Sequence, residues 1–158
     1  MLTIQTLRFE LKYLIDEDRA RQIANVVRNR LNLDEHCRIS PEHAYPVRSI
    51  HLDSEDQKLF RAAIDEDKNR YKLQARPGVS VRFQRETYES EDGTERITLD
   101  RDMQRQVVGD PVDGSLGCLG ATQPVFAQPI VVLKLRFVSR FPEWWRQQVW
   151  PLANHPKS

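Results

Sequence analysis

The chain has 158 residues, of which 39% are hydrophobic and 30% charged, with a formal net charge of +1. This length predicts one domain that buries about two thirds of its unfolded surface, without disulfides or metals. The balanced charge excludes overall basicity as a basis for binding nucleic acid or anionic lipid, so any anion site must be local.

The sequence shows no apolar run long enough to span a membrane and no apolar leader, so we expect a cytoplasmic protein without a membrane span. Its two cysteines, Cys37 and Cys118, lie far apart and have no His or Cys at metal-ligand spacing. We therefore expect reduced, structural thiols.

The first half of the chain predicts two strands and two helices. A strand over about 3–14 ends at Asp16, which is a favourable N-cap for an amphipathic helix that continues to about Leu31. Residues 32–46 contain two prolines and predict a loop. A strand over 47–54 then leads into a second helix over about 55–64.

The second half predicts more strands and one helix. A strand over 69–76 is expected to break at Pro77-Gly78, and a hairpin with an Asp92-Gly93 turn follows. Residues 103–128 lack a clear period and predict a long loop. A last strand over about 129–137 precedes a helix that begins near a proline. The elements together predict an α+β fold whose strands are antiparallel.

Basic residues recur at alternate positions in the predicted strands, opposite apolar residues. Side chains two apart in a strand share a face, so each of these strands has one basic face. The strand around Arg85 is less regular, because Val81 and Phe83 share its face. The basic residues are Arg8, Lys12, Arg70, Lys72, Arg76, Arg85, Arg96, Lys134 and Arg136.

Two interpretations of these basic faces remain open. One is the solvated side of an antiparallel sheet, which is polar by necessity. The other is a cavity that binds a polyanion. Acids are few on the same faces, where Glu10 and Asp100 are the clear cases. Like charges on neighbouring strands are destabilising unless anions neutralise them, and phosphate oxygens suit arginine well.

Several blocks in this order resemble the VTC (vacuolar transporter chaperone) domain, the polyphosphate polymerase branch of the CYTH-like triphosphate tunnel metalloenzymes. They are "RFELKYLI", "YPVRSIHLDS", "NRYKLQAR", "VRFQRETYES", "ERITLD", "VVLKLRF" and "RFPEWW". The resemblance implies an antiparallel β-barrel forming a tunnel that binds ATP and polyphosphate. It also implies a divalent metal, manganese or magnesium, and transfer of the ATP γ-phosphate to polyphosphate. It implies no specific recognition of nucleic acid.

The resemblance carries over by position. Glu10 and Lys12 match the first-strand Glu-x-Lys, and Arg85 matches the arginine of a Tyr-x-Arg block in which Phe83 replaces the tyrosine. Arg96 matches the basic residue of Arg-x-Thr-x-Asp. The basic strand after the second helix is matched by Arg70, Lys72 and Arg76. These cations would hold phosphate. Glu10 would bind the metal, with a salt bridge to Lys12 or Arg70 as the alternative.

Three departures from the family pattern affect the expected activity. Lys134 stands where the family's late strand has a metal-binding glutamate, and the expected closing Ser-x-Lys-Tyr stretch is absent. A further strand and helix are also missing between "NRYKL" and "ARPGVSV". We therefore expect one VTC-like domain over 1–158 whose barrel is incomplete or open. It is either a polyphosphate polymerase or a catalytically inactive domain that binds polyanions or partners.

Overall fold

A computed structural model of the chain describes residues 7–53, 76–112 and 115–154. The elements are β1 Arg8–Ile15, α1 Glu17–Val27, β2 Asn32–Leu33, α2 Glu35–Ile39, β3 Tyr45–Asp53, β4 Arg76–Glu89, β5 Glu95–Val112, β6 Ser115–Pro124, β7 Val131–Val138, a π-helical turn α3 Trp145–Val149, and α4 Trp150–Asn154. The predicted helix over 55–64 and the predicted strand segment with Arg70 and Lys72 lie outside the described residues.

The described residues divide into two compact units. The first contains the described residues up to Pro46, then Gln84–Asp102, and those from Gln128 onward. The second contains the described parts of Val47–Phe83 and Met103–Ala127, including most of the β5–β6 hairpin. That these units form one domain stays a prediction.

The sheet follows the strand order β1-β7-β5-β4-β2, with β3 paired to β4 and β6 paired to β5. The pairs β1–β7, β5–β7, β2–β4 and β5–β6 are antiparallel, and β1 and β5 lie on opposite edges of β7. This confirms the antiparallel α+β class. No pairing between β1 and β2 joins the ends of this path in the described ranges, so the sheet is open there and the barrel stays a prediction.

The apolar face of the sheet in the first unit is covered by helices. The stripe of α1, made by Ala20, Ile23, Ala24 and Val27, is buried with strand residues from the alternate positions of β5 and β7. Those strand residues are Ile97, Leu99, Val131, Leu133, Leu135 and Phe137. Trp145 and Val149 of α3 join the same core, as the spacing of the final helix predicts.

The start of α1 agrees with prediction, but its end does not. Asp16 is the N-cap, and its carboxylate accepts a hydrogen bond from the Arg19 amide at 2.9 Å. The helix ends at Val27 instead of Leu31. Leu31 is still buried, because a turn after the helix returns it to the core, where its amide donates to the Val27 carbonyl at 2.9 Å. The apolar spacing therefore reports burial beyond the helix.

The predicted loop over 32–46 is wrong in part, because it contains β2 and α2. Asp34 caps α2 by accepting a hydrogen bond from the Cys37 amide at 2.8 Å. The thiol of Cys37 is free and buried, and this burial raises its pKa to about 12. A structural thiol is therefore confirmed for Cys37. The side chain of Cys118 lies outside the described part.

Two predicted interruptions of the strands are also wrong. β4 begins at Arg76 and runs through Pro77-Gly78, a position near the strand start where proline is tolerated. The predicted loop over 103–128 is mostly the end of β5 and all of β6. Register shifts between Arg105 and Val107, and between Val108 and Pro111, break the two-residue period that identifies a strand.

No helix within the described ranges is long and apolar enough to cross a bilayer.

A buried ionic network lies on the helix-covered side of the first unit. Glu86 accepts hydrogen bonds from the Tyr88 hydroxyl, from Arg28 at 3.2 Å and from Arg101 at 2.7 Å. Burial alone raises the pKa of Glu86, but the bonds from Tyr88, Arg101 and Arg28 outweigh it, so its pKa lies below the ordinary value. Arg101 also binds Glu17 of α1. The network therefore ties α1 to β5.

We expect Glu86→Gln to lower the free energy of unfolding at neutral pH by about 2 kcal/mol, because charge-assisted hydrogen bonds to a buried carboxylate are lost. Because the pKa of Glu86 is lower in the folded state than in the unfolded state, its ionised form stabilises the fold at pH values above the unfolded-state pKa. This stabilisation is lost as the pH falls through the folded-state pKa. The difference in free energy of unfolding between the wild-type chain and Glu86→Gln should therefore shrink below about pH 4 in urea unfolding experiments. Glu143→Gln, at an exposed acid, is the matched control, and an equal effect there would contradict the assignment.

Candidate anion-binding pocket

The face of the sheet opposite α1 is polar and contains a cavity of about 120 Å³ in the first unit. Strict alternation places the core residues Leu133 and Leu135 on one side of β7, and Lys134 and Arg136 on the other. The basic side chains that line the cavity are Arg85, Arg96, Lys134 and Arg136. The remaining lining residues are Glu10, Tyr45, Thr87 and Thr98. Neighbouring strands therefore bring their basic residues to one place.

The strand register places like charges directly opposite each other on this face. Lys12 of β1 pairs across from Lys134 of β7, and Arg136 of β7 pairs across from Arg96 of β5. Like charges in such positions are destabilising unless carboxylates or bound anions separate them.

Asp100 of β5 is the carboxylate beneath Lys134 and Arg85. It is 0% exposed, and its two oxygens accept hydrogen bonds from Arg85 at 2.7 and 2.9 Å. The ammonium of Lys134 lies 2.7 Å from Asp100 Oδ2. The hydrogen bond to Asp100 raises the pKa of Arg85 against the opposing effect of burial. Asp100 therefore fixes Arg85 and Lys134 among the described basic residues that line the cavity.

Glu10 of β1 is the acid in the cavity wall. Its Oε2 accepts hydrogen bonds from Arg136 at 2.7 and 3.2 Å, and its Oε1 lies 3.4 Å from the ammonium of Lys12. Burial acts to raise the pKa of Glu10, but the hydrogen bond from Arg136 and the charges of Lys12 and Arg136 outweigh it. The pKa is therefore lowered, and Glu10 is ionised at neutral pH.

Arg96 of β5 contributes a donor without an acceptor. Its Nη2 lies 3.3 Å from Glu89 and 3.8 Å from Asp34. Its Nε is buried and has no hydrogen-bond partner among the described residues. A buried donor without a partner costs about 1–3 kcal/mol.

Tyr45, at the start of β3, is a lining residue that sequence analysis missed. Burial raises the pKa of its hydroxyl, an effect opposed by Thr87, so the group is a neutral hydrogen-bonding phenol at physiological pH. It lies in a segment predicted as a loop, where no alternation of polar and apolar residues assigns a side chain to a face of the sheet. Its aromatic character beside the predicted strand was the one available signal.

The predicted phosphate-binding residues are only partly brought together. Arg85, Arg96, Lys134 and Arg136 line the cavity, whereas Lys12 contacts it through Glu10 with a side chain that is 62% exposed. Arg8 is exposed at the start of β1 and is not in the lining. The side chain of Arg76, and the whole of Arg70 and Lys72, lie outside the described part.

The described residues do not fit a divalent metal ion. Both oxygens of Glu10 face cations, and no group of three His, Cys, Asp or Glu within 7–53, 76–112 and 115–154 could hold a metal. Manganese and magnesium require several oxygen ligands. The metal at Glu10 stays a prediction.

The comparison with curated proteins gives no match. The VTC domain family matches residues 7–77, a segment with Glu10, Lys12, Arg70, Lys72 and Arg76. The cavity residues Arg85, Arg96, Lys134 and Arg136 lie after it. The match confirms the resemblance of this chain to the VTC domain family.

Proposed function

We propose that the chain is a polyphosphate polymerase-like VTC domain whose cavity binds a phosphoryl group of ATP or polyphosphate. The observation that supports this most is the convergence of Arg85, Arg96, Lys134 and Arg136 on one cavity. Arginine and lysine are the side chains that neutralise phosphate oxygens, and arginine does so with two hydrogen bonds at once.

The charge arrangement leaves room for an added anion. Asp100 is shared by Arg85 and Lys134, and Glu10 is shared by Arg136 and Lys12. Each of these carboxylates therefore serves two cations. A phosphoryl group in the cavity would place additional negative charge beside these cations.

The size of the cavity limits what enters it. Its volume is about 120 Å³. Sites for whole drug-sized ligands are about 300–1,000 Å³. The cavity therefore accommodates one phosphoryl group, with the rest of a nucleotide or polyphosphate chain outside it.

Phosphoryl transfer requires little covalent chemistry from a protein, because positioning and charge neutralisation provide most of the catalysis. The lining cations could hold a terminal phosphoryl group and offset the charge on its oxygens. The proposal includes transfer of the ATP γ-phosphate to polyphosphate and a tunnel completed around this sheet. It also includes the CYTH-like relationship and a cytoplasmic location.

A second candidate function is a binding domain without turnover. It is favoured by Lys134, whose ammonium is held at 2.7 Å from Asp100 on the strand where the family has a metal-binding glutamate. Incubation of the full chain with ATP and manganese separates the two. New polyphosphate would support the enzyme. A thermal shift with polyphosphate in EDTA, without product, would support the binding domain. The absence of both a thermal shift and a product would refute the phosphate site.

Replacement of Arg96 tests the cavity directly. We expect Arg96→Gln to weaken polyphosphate binding about tenfold, because a charge-assisted contact is lost. Arg146→Gln is the matched control, since Arg146 pairs with Glu143 on an exposed segment and should change affinity less than about twofold. Titration calorimetry at two salt concentrations measures the polyphosphate affinity of each variant. Equal weakening by the two variants would show that polyphosphate binds through diffuse charge instead of this cavity.

Replacement of Lys134 tests its contact with Asp100. Lys134→Glu and Lys134→Met both remove the cation, but only the glutamate places a second carboxylate beside Asp100. We expect Lys134→Glu to bind manganese at least about tenfold more tightly than Lys134→Met, because carboxylate oxygens suit this ion. Calorimetric titration with manganese measures the difference. Identical manganese binding would contradict the proximity of the two side chains.

A further inference from the structure

Glu10 is an acid in a cavity wall whose other described residues present cations and neutral hydroxyls. Arg136 donates to its Oε2 at 2.7 and 3.2 Å and Lys12 lies 3.4 Å from its Oε1, which is the arrangement of a carboxylate whose oxygens are hydrogen-bond acceptors only. An oxyanion that enters the cavity is attracted by Arg96, Lys134 and Arg136 and repelled by Glu10. The repulsion becomes an attraction only if a proton lies between an oxygen of Glu10 and an oxygen of the oxyanion.

The two oxygens of Glu10 have different contacts. Arg136 donates to Oε2 through both Nε and Nη2, which holds the carboxylate in place. Oε1 faces Lys12 at 3.4 Å, which is longer than an ordinary charge-assisted hydrogen bond. Oε1 therefore keeps capacity to accept a further hydrogen bond.

Asp100 cannot take this role. It is fully buried, and its two oxygens already accept from Arg85, while Lys134 adds a third contact. Among the described residues that line or support the cavity, Glu10 is thus the carboxylate placed to meet a ligand.

We propose that Glu10 determines specificity by accepting a hydrogen bond from a P–OH group, so that the cavity selects protonated phosphate oxyanions over sulfate. This inference rests on the proposed function, because it concerns the same cavity. The proton stays on the phosphate, and no bond is formed or broken. The selected class includes inorganic hydrogenphosphate and the protonated terminal group of a phosphate chain.

Hydrogenphosphate and sulfate are a matched pair of probes. Both are tetrahedral dianions of similar size at mildly alkaline pH, and only hydrogenphosphate carries a proton. Overall charge and shape therefore cancel in the comparison. A hydrogen bond to a charged group contributes about 1.5–3 kcal/mol, so we expect the wild-type chain to prefer phosphate by at least about tenfold.

The experiment titrates the full chain with inorganic phosphate and with sodium sulfate in a calorimeter, at one pH and constant ionic strength. Glu10→Gln replaces the charged acceptor with a neutral amide that can donate to either anion, so the preference should fall to less than about threefold. Glu143→Gln makes the same chemical change at an exposed acid paired with Arg146, and should keep the wild-type preference.

Three outcomes would overturn the inference. Equal affinity for phosphate and sulfate in the wild-type chain would do so without requiring any variant to fold, and would leave the proposed oxyanion site standing. A preference retained in folded Glu10→Gln would assign the selection to another residue. Failure of both anions to bind would also overturn it, and polyphosphate titration then shows whether the proposed function fails as well.

Discussion

The polar face of this sheet depends on one buried carboxylate, Asp100. Transfer of an ion from water to a protein interior costs several kcal/mol unless partners surround it. Arg85 from β4 and Lys134 from β7 are those partners, on the strands that flank β5. Asp100 thus joins three strands through its contacts with these two cations.

The cavity is also a consequence of packing on the opposite face. Leu133 and Leu135 must lie in the core, so Lys134 and Arg136 are forced onto the other side of β7. A shift of one residue in register would exchange the two sets, which burial of the core forbids. The free energy of the apolar core therefore holds like charges opposite each other, such as Lys12 and Lys134. Packing of the apolar face therefore keeps these cations close together on the polar face.

Sequence alone predicts which residues share a face, because alternation is a local property. It identifies the basic sides of β1, β5 and β7, and it places Trp145 in the core. It does not predict that Asp100 serves Arg85 and Lys134, since that depends on register between strands far apart in the chain. It misses Tyr45 and β6 for related reasons. Tyr45 lies beside Pro46, where the sequence shows no alternation of polar and apolar residues. The bulges between β5 and β6 interrupt the two-residue alternation that identifies a strand.

The cations of the cavity differ in how easily they can turn to a ligand. Arg85 and Lys134 are held by a carboxylate that water does not reach, so their positions are fixed before an anion arrives. Arg136 is 48% exposed and pairs with Glu10 near the surface, where exchange of partners costs little. A phosphoryl group would therefore meet a preorganised pair at the base and a movable arginine at the rim. Salt should therefore weaken the exposed contact between Arg136 and Glu10 more than it disturbs the buried contacts of Asp100.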